Sequence, residues 1–472
     1  MQFASHPSPT ALEALAGLRV SPFWLDTPDR PRPRPPLAGD GSADLVVVGG
    51  GFTGLWSALL AKQQDPAREV VLLEGARIAE GATGRNGGFM SASLTHGVVN
   101  GASRFRDEMP ELLRMGRENL DAIDKTIHDL GIDCSFVRTG EIDVAVAAHQ
   151  VRELQDAVEL ACSLGEEWEF LDEEAVRARI HSPTYLAAAW ERSGVALVDP
   201  ARLAWGLAAA CESIGVRIHE GTPVEDIRDS GSVVEVVTRR GVVRATRVAL
   251  ATSAFPPLLA RIKHYIVPVY DYVLVTEPLT AAQWRAIGWE GREGMSDSGN
   301  RFHYYRVTPD GRILWGGYDA VHHFGSRVSR RFESEESCFG HLAEHFLQTF
   351  PDLAGIRFTH GWGGAIDTCS RFTAFWGTAM QGKVGYVVGF TGLGVGASRF
   401  GALTMLDLLD GRDTERTRLD MVRSRPLPFP PEPIRSAGIA ITTRSLARAD
   451  AQGGRRNLWL RLLDRAGLGF DS

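Results

Sequence analysis

Residues 44–54 read Asp-Leu-Val-Val-Val-Gly-Gly-Gly-Phe-Thr-Gly, and this stretch decides the fold that we predict for the chain. The apolar run Leu45–Val48 favours a buried strand, and a helical pattern follows the last glycine. In this G-x-G-x-x-G spacing, Gly49 permits a tight turn, Gly51 lets a pyrophosphate approach the backbone, and Gly54 lets the helix pack closely on the strand. The helix N-terminus then offers N–H groups and a positive dipole to phosphates.

A second apolar run, Val70–Leu73, ends at an acidic residue placed where a dinucleotide-binding protein needs one. Glu74 follows Gly49 by 25 residues, a spacing that puts a carboxylate within reach of the ribose hydroxyls. The same carboxylate would repel a 2′-phosphate, which argues against NADP. A glycine turn without a ligand does not explain this arrangement, and we predict dinucleotide binding.

The composition is that of an ordinary globular protein, with 472 residues, 44% hydrophobic and 23% charged. The length favours two interleaved domains. A net charge of −7 implies no general attraction to nucleic acid or anionic membranes. The five cysteines are scattered, which argues against a disulfide framework or a zinc site and suits a reducing compartment. We see no apolar run of membrane-span length and no secretory signal, and we expect a cytoplasmic protein.

Two further glycine-rich elements follow along the chain. Residues 81–89 read Gly-Ala-Thr-Gly-Arg-Asn-Gly-Gly-Phe, which suggests a second place where backbone touches ligand, with a flexible loop as the alternative. The strand Val384–Val388 enters the glycine run Gly389–Gly396, which opens the predicted helix Ala397–Leu409. A nicotinamide enzyme needs no second unit of this kind, whereas a longer ligand with a ring buried between two domains does.

The three glycine elements, together with Glu74 and Trp362-Gly363-Gly364, resemble the D-amino-acid-oxidase-like family of FAD-dependent amine and amino-acid oxidoreductases, and within it the γ-glutamylputrescine oxidoreductase-like group. The similarity covers roughly residues 40–410. It implies an α/β fold, α+β overall, in which a Rossmann-like FAD-binding domain of non-contiguous segments bears a substrate domain with a mixed or antiparallel sheet.

The resemblance also implies domain bounds. We expect an N-terminal extended arm (1–43), an FAD-binding domain (44–98, 195–264 and 361–411), a substrate-binding domain (99–194 and 265–360) and a C-terminal helical cover (412–472). Hydrophobic periodicity further predicts a helix over Arg104–Leu130 and strands over Arg301–Thr308 and Arg312–Gly317.

The cofactor-binding residues that the resemblance implies fall into five groups. They are Gly49, Gly51, Phe52, Thr53 and Gly54 at the pyrophosphate; Glu74, Gly75 and Arg77 at the adenosine; Gly81, Ala82, Thr83, Arg85, Asn86, Gly87, Gly88, Phe89 and Met90 beside the ribityl chain and the ring; Val224, Ala251 and Thr252 at adenine and pyrophosphate; and Trp362, Gly364, Thr391, Gly392, Leu393, Gly394 and Val395 closing on the ring.

The activity that the resemblance implies is oxidation of the C–N bond of a small amine or amino acid, by hydride transfer to flavin N5 and hydrolysis of the imine. By similarity, Tyr304 lies on the strand where some relatives keep a substrate-facing tyrosine. Two-residue alternation places Phe302 and Arg306 on the same face, and His303 and Tyr305 on the other. Sheet packing is the alternative for Tyr304 and for Arg306. An Arg306 that reached the site would favour a carboxylate-bearing substrate.

Three departures from the family pattern qualify these expectations. Arg85 occupies the place of a histidine that links flavin covalently in some relatives, and Cys369 is out of register with a linking cysteine, so we expect FAD to be bound non-covalently. The strand Ile313–Gly316 lacks the oxygen-activating lysine of some oxidases, which leaves open whether oxygen or another acceptor reoxidises the flavin. The alternatives are another flavin reaction, such as NAD(P)H-dependent hydroxylation, and a non-catalytic flavin-binding scaffold.

Overall fold

A computed structural model describes residues 3–468 of the protein. Residues 1–2 and 469–472, at the outer ends of the expected arm and cover, lie outside the described residues. The helices are α1 (Pro9–Ala14), α2 (Phe52–Gln64), α3 (Val98–Arg104), α4 (Met109–Asp129), α5 (Ala148–Ser163), α6 (Glu173–Arg179), α7 (Pro200–Ser213), α8 (Ala281–Ile287), α9 (Glu336–Thr349), α10 (Gly394–Leu409), α11 (Glu415–Arg418), α12 (Asp420–Arg423), α13 (Ile434–Ala451) and α14 (Leu458–Arg465).

The strands belong to three sheets. They are β1 (Arg19–Val20), β2 (Gly41–Val48), β3 (Val70–Leu73), β4 (Phe89–Ser91), β5 (Val137–Arg138), β6 (Glu141–Ala145), β7 (Trp168–Leu171), β8 (Ala187–Glu191), β9 (Val195–Leu197), β10 (Arg217–His219), β11 (Val224–Ser230), β12 (Val233–Thr238), β13 (Gly241–Leu250), β14 (Val267–Thr276), β15 (Gly294–Asp297), β16 (His303–Val307), β17 (Ile313–Gly317), β18 (Val321–His322), β19 (Phe358–Thr368), β20 (Phe375–Ala379) and β21 (Val384–Val388).

The first sheet is organised around β2, the strand that enters the first glycine turn. Its order is β10-β3-β2-β13-β12-β11, and β21 pairs with β13 and with β20. The pairs β10–β3, β3–β2, β2–β13 and β13–β21 are parallel. Parallel strands covered by helices read as apolar runs, which explains why Val46, Val47 and Leu72 are fully buried. Helix α10 packs on α2, so the first and last strand–glycine–helix units are neighbours.

The second sheet forms the other wall of the molecule. Its order is β1-β19-β14-β17-β16-β15-β6-β8-β7, with β18 paired to β14. Most pairs are antiparallel, whereas β1–β19 and β15–β6 are parallel. One face holds an aromatic core that includes Tyr305, Trp315 and Phe346. The mixed α/β architecture that we predicted from the sequence is therefore confirmed.

Helices α13 and α14 pack on each other at the end of the chain. Asp450 of α13 accepts hydrogen bonds from the backbone N–H of Asn300 (3.1 Å) and from its side-chain Nδ2 (2.5 Å), which ties the helix to the loop between β15 and β16. Among residues 3–468, no helix combines the length and the apolar character that a bilayer span requires.

Two expectations about local structure need correction. The single helix predicted over 104–130 is divided between α3 and α4. Pro110 lies in the first turn of α4, where its missing N–H costs nothing, but it would interrupt a helix running through from α3. The N-terminal segment is not extended throughout either, because Ser8 caps the N-terminus of α1 through a hydrogen bond from Ala11 N.

Candidate active site

The three glycine elements meet at one cavity of about 1660 Å³. Single-ligand pockets have typical volumes of about 300–1000 Å³, so this cavity has room for a dinucleotide and a substrate together. Its lining includes residues 49–53, 81–83, 363–364 and 391–395. Elements that lie up to 346 positions apart in the sequence thus share one binding space.

The first glycine turn is built so that no other residue fits at its two ends. Gly49 has φ +111°, and a Cβ atom there would lie 2.4 Å from the carbonyl oxygen of Ala251. A Cβ atom on Gly54 would lie 1.9 Å from the oxygen of Gly49. The N–H of Phe52 donates to Thr83 Oγ1 (3.0 Å), which joins the first glycine element to the second.

The carboxylate of Glu74 holds the same turn. Its Oε2 accepts from Gly50 N (2.6 Å) and its Oε1 from Ala76 N (2.7 Å), while burial raises the pKa of this carboxyl. Glu74 also lines the cavity. Its contact with a ribose remains a prediction.

Arg85 attaches the second glycine element to Glu333 and to the Trp362-Gly363-Gly364 segment. The Arg85 guanidinium forms an ion pair with Glu333 (2.8 Å), and the indole N–H of Trp362 donates to the Arg85 carbonyl (2.9 Å). Asn86 shapes its own loop, since its Nδ2 donates to Thr83 O (2.8 Å) and its Oδ1 accepts from Gly88 N (2.8 Å).

The third glycine element depends on a carboxylate that the sequence did not point to. Asp367 Oδ2 accepts from Gly389 N at 2.7 Å, and burial raises the pKa of Asp367 to about 6. Thr391 (φ +51°) and Gly392 (φ +95°) then turn the chain into α10. The first N–H groups of that helix have no partner within the helix, and residues 391–395 line the cavity.

Six of the predicted site residues lie behind the cavity wall and do not line it: Gly54, Arg77, Gly88, Met90, Trp362 and Arg306. Met90 and Trp362 are fully buried. Arg77 donates from Nη2 to the carbonyl of Pro31. These six residues support the wall from behind, and every other predicted site residue lines the cavity. Contact of each predicted residue with FAD stays a prediction.

Tyr304 of β16 extends from the second sheet into the cavity. Its hydroxyl donates to Asp271 Oδ2 at 2.5 Å, and both residues line the cavity. A Cβ atom on Gly87 would lie 2.7 Å from Tyr304 Cε2, so the ring touches the second glycine element. Burial raises the pKa of Asp271 to about 6 and that of Tyr304 well above its usual range. The phenol therefore stays protonated, while the carboxyl titrates near neutral pH.

The face alternation predicted for β16 is confirmed, but Arg306 does not reach the cavity. His303 packs against Trp315, and Tyr305 lies in the same aromatic core on the opposite side of the sheet, whereas Phe302 lines the cavity with Tyr304. The Arg306 guanidinium donates from Nη1 to Val198 O (2.8 Å) and Gly88 O (3.1 Å). Burial lowers the pKa of Arg306 to about 10. Arg306 anchors the second glycine element from behind, and the expected substrate contact is withdrawn.

We expect Arg306→Met to lower the free energy of unfolding by about 2–4 kcal/mol, because two buried carbonyl groups lose their donor. Denaturant unfolding followed by fluorescence measures this loss. Arg239→Met is the matched control: Arg239 is 83% exposed and should change stability by less than about 0.5 kcal/mol. Equal stability of the two variants would contradict the anchoring role.

Comparison with known proteins assigns the family. The model of the DAO family, described as FAD dependent oxidoreductase, matches residues 44–408. The chain is 31% identical over 398 residues to gamma-glutamylputrescine oxidoreductase from Escherichia coli, covering 82% of this chain and 88% of that protein. It is 27% identical over 405 residues to probable oxidoreductase OrdL from Haemophilus influenzae, covering 84% and 89%.

Among solved structures, L-proline dehydrogenase from P. horikoshii shares the fold, with a TM-score of 0.67 at 18% identity over 82% of this chain and 96% of that one. The glycine elements that this chain brings to one cavity fit an extended dinucleotide, as the family match requires. The protein belongs to the DAO family and is an FAD-dependent oxidoreductase of the amine and amino-acid oxidase type.

Proposed function

We propose that the protein oxidises the C–N bond of a small amine and that the resulting imine is hydrolysed by water. The observation that supports this function is the continuity of one cavity from the three glycine elements to the Tyr304–Asp271 pair. Bound FAD supplies a hydride acceptor for the carbon next to the amine nitrogen. Gly49–Thr53 would hold its pyrophosphate, and residues 391–395 would close on its ring.

The chain's own contribution is to position the amine and to accept its proton. An amine transfers a hydride only when its nitrogen is neutral, so the ammonium form must first lose a proton. Asp271 faces the cavity with a pKa of about 6, and its carboxylate is ionised at neutral pH. Tyr304 donates to this carboxylate and fixes its orientation. We infer that Asp271 receives the ammonium proton directly or through Tyr304.

We further propose that FAD is bound without a covalent link. Cys369 is fully buried, its Sγ donates to Thr373 O (3.1 Å), and it does not line the cavity. Acid precipitation of the holoenzyme should leave all flavin in the supernatant. Flavin that remains in the protein pellet would contradict this proposal.

Anaerobic mixing of the holoenzyme with a panel of primary and secondary amines tests the function. Loss of the oxidised-flavin absorbance with an amine, followed by ammonia or aldehyde in solution, is the expected result. Absorbance loss only with NADH would indicate a hydroxylase-type reaction, and none with any small reductant would indicate a scaffold. Peroxide release after admitting air separates oxygen from another electron acceptor.

A further inference from the structure

Three carboxylates lie together on the face of the second sheet that lines the cavity beyond Tyr304. We call Glu141, Asp143 and Glu191 the acidic strip. Glu141 and Asp143 are two residues apart on β6 and share a face, and Glu141 is the cross-strand partner of Glu191 on β8. All three residues line the cavity. The acidic strip is therefore part of the same space that the glycine elements enclose.

The acidic strip has no cation of its own. Within residues 3–468, no lysine, arginine or histidine forms an ion pair with the members of the acidic strip. Arg138 pairs with Asp121 instead, and Arg192 pairs with Glu169. Glu141 receives a hydrogen bond from Ser296 Oγ (2.9 Å). The Asp143 carboxyl lies near the hydroxyls of Ser296 and Ser298, which lower its pKa, while its Oδ1 atom is inaccessible to solvent and has no hydrogen-bond partner among the described residues.

This arrangement is costly unless a positive charge joins it. Like charges directly opposite each other destabilise an antiparallel pair, and a buried carboxylate without a partner costs more still. Burial raises the pKa of Asp143 to about 7 and that of Glu191 to about 8. Without a cation these two carboxyls therefore hold protons near neutral pH, and a cation placed beside them would favour their ionised form. Trp168, the cross-strand neighbour of Glu191, also lines the cavity and offers an aromatic face to such a cation.

Among the described residues, neither arginine nor lysine offers an open partner for a carboxylate in the cavity. Each arginine that lines it within the described chain is already paired with a carboxylate: Arg85 with Glu333, Arg117 with Glu166, Arg301 with Asp319, Arg330 with Glu80 and Arg456 with Asp464. No lysine contributes to the described lining. A substrate carboxylate would have to displace one of these ion pairs.

The position of the acidic strip determines the length of a ligand that reaches from Tyr304 to the strip. The strands β16, β15, β6 and β8 are consecutive neighbours in the sheet. At about 4.8 Å per strand, the strip lies about 10–14 Å across the sheet from Tyr304. Apolar side chains of α5 (Leu154, Ala157 and Leu160) line the same cavity and suit the methylene groups between two charged ends.

We propose that the acidic strip binds a second, distal cationic nitrogen, so that the substrate is a diamine or polyamine of extended shape and not an amino acid. This inference rests on the amine oxidation proposed above. One nitrogen lies at the Tyr304–Asp271 pair in its neutral form, and the carbon next to it would transfer a hydride to bound FAD, while the distal ammonium stays charged at the acidic strip. Glu141, Asp143 and Glu191 are specificity-determining residues in this arrangement.

The test compares 1,8-diaminooctane with octylamine, a pair that differs only in the distal nitrogen. The wild-type holoenzyme should prefer 1,8-diaminooctane by at least about tenfold in kcat/KM, because a charged hydrogen bond contributes about ten- to a hundredfold. The double variant Asp143→Asn/Glu191→Gln keeps side-chain shape and removes two carboxyls that can ionise beside a bound cation. It should raise KM for 1,8-diaminooctane about tenfold or more and change KM for octylamine less than about threefold.

Glu169→Gln is the matched control, since Glu169 lies on β7 next to Trp168 but pairs with Arg192. It should behave as wild type with both amines, and retained FAD shows that each variant is folded. Equal kcat/KM for the two amines in the wild type, or an unchanged KM for 1,8-diaminooctane in the double variant, would overturn the proposal while leaving amine oxidation intact.

Calorimetric binding of 1,8-diaminooctane keeps the two proposals separate. Should no amine reduce the flavin, the proposed function fails, but the acidic strip is still tested by binding. Wild-type binding that is lost in the double variant supports a cation site. No binding in the wild type, or equal binding in both proteins, overturns it.

Discussion

Gly51→Val should yield a folded protein that retains no FAD. Gly51 has φ −84° and ψ −176°, a conformation that valine adopts without strain, and its Cβ atom would meet only Thr83 Oγ1, at 2.9 Å. A rotation of the Thr83 side chain relieves that contact, at the cost of the hydrogen bond that Thr83 Oγ1 accepts from Phe52 N. The valine methyl groups would then occupy space at the cavity wall where the pyrophosphate must approach the backbone.

The ratio of flavin to protein absorbance in purified protein measures this effect, and circular dichroism reports folding. Gly438→Val is the matched control, because Gly438 lies in α13 with open space around its Cβ position. The control should be yellow and the Gly51 variant colourless, even after incubation with FAD. A fully loaded Gly51→Val protein would refute the phosphate role of this turn.

Asp271→Asn should lower kcat by about a hundredfold or more, in the range that general acid–base groups contribute. Asparagine keeps the size of the side chain and can still accept from Tyr272 N, as Asp271 Oδ1 does at 2.8 Å, but it cannot take up a proton. The pH profile adds a second readout. Because burial raises the pKa of Asp271 to about 6, wild-type kcat should fall as the pH decreases through 6, where the carboxylate becomes protonated.

This fall of kcat at acidic pH should be absent from the residual activity of Asp271→Asn. Asp156→Asn serves as control, since Asp156 also lines the cavity but is largely exposed and paired with Arg152. The Asp156 variant should keep wild-type kcat and the same fall of kcat at acidic pH. If the Asp271 variant keeps wild-type kcat, or still loses kcat as the pH decreases through 6, another group accepts the proton of the substrate ammonium.

The parts of the site that follow local rules were predictable from the sequence. The glycine turn at Gly49 needs a positive φ, and the close approach of Gly54 to Gly49 leaves no room for a side chain. Such requirements can be predicted from residue type and spacing alone. The strand bounds Val70–Leu73 and Val384–Val388 agree with the structure because these runs are buried on both faces.

Other parts depend on which distant segments become neighbours. Alternation gave the correct face for Arg306, but its carbonyl partners at Gly88 and Val198 come from other elements, and they draw its side chain away from the cavity. Asp271 stood in an apolar strand and had no motif to mark it. Its place in the cavity depends on β14 and β16 lying in one sheet, where the Tyr304 hydroxyl donates to it.

Helices α2 and α10 are neighbours in the folded protein, although their first residues are 342 positions apart in the sequence. This separation determines when in folding the cofactor can bind. A ligand that contacts both helix N-termini binds only after nearly the whole chain has come together, and contacts of such long sequence separation form slowly. FAD bound at both helices would stabilise the native state relative to partly assembled forms by mass action. Cells short of riboflavin should therefore accumulate chains that proteases cut between the two helices.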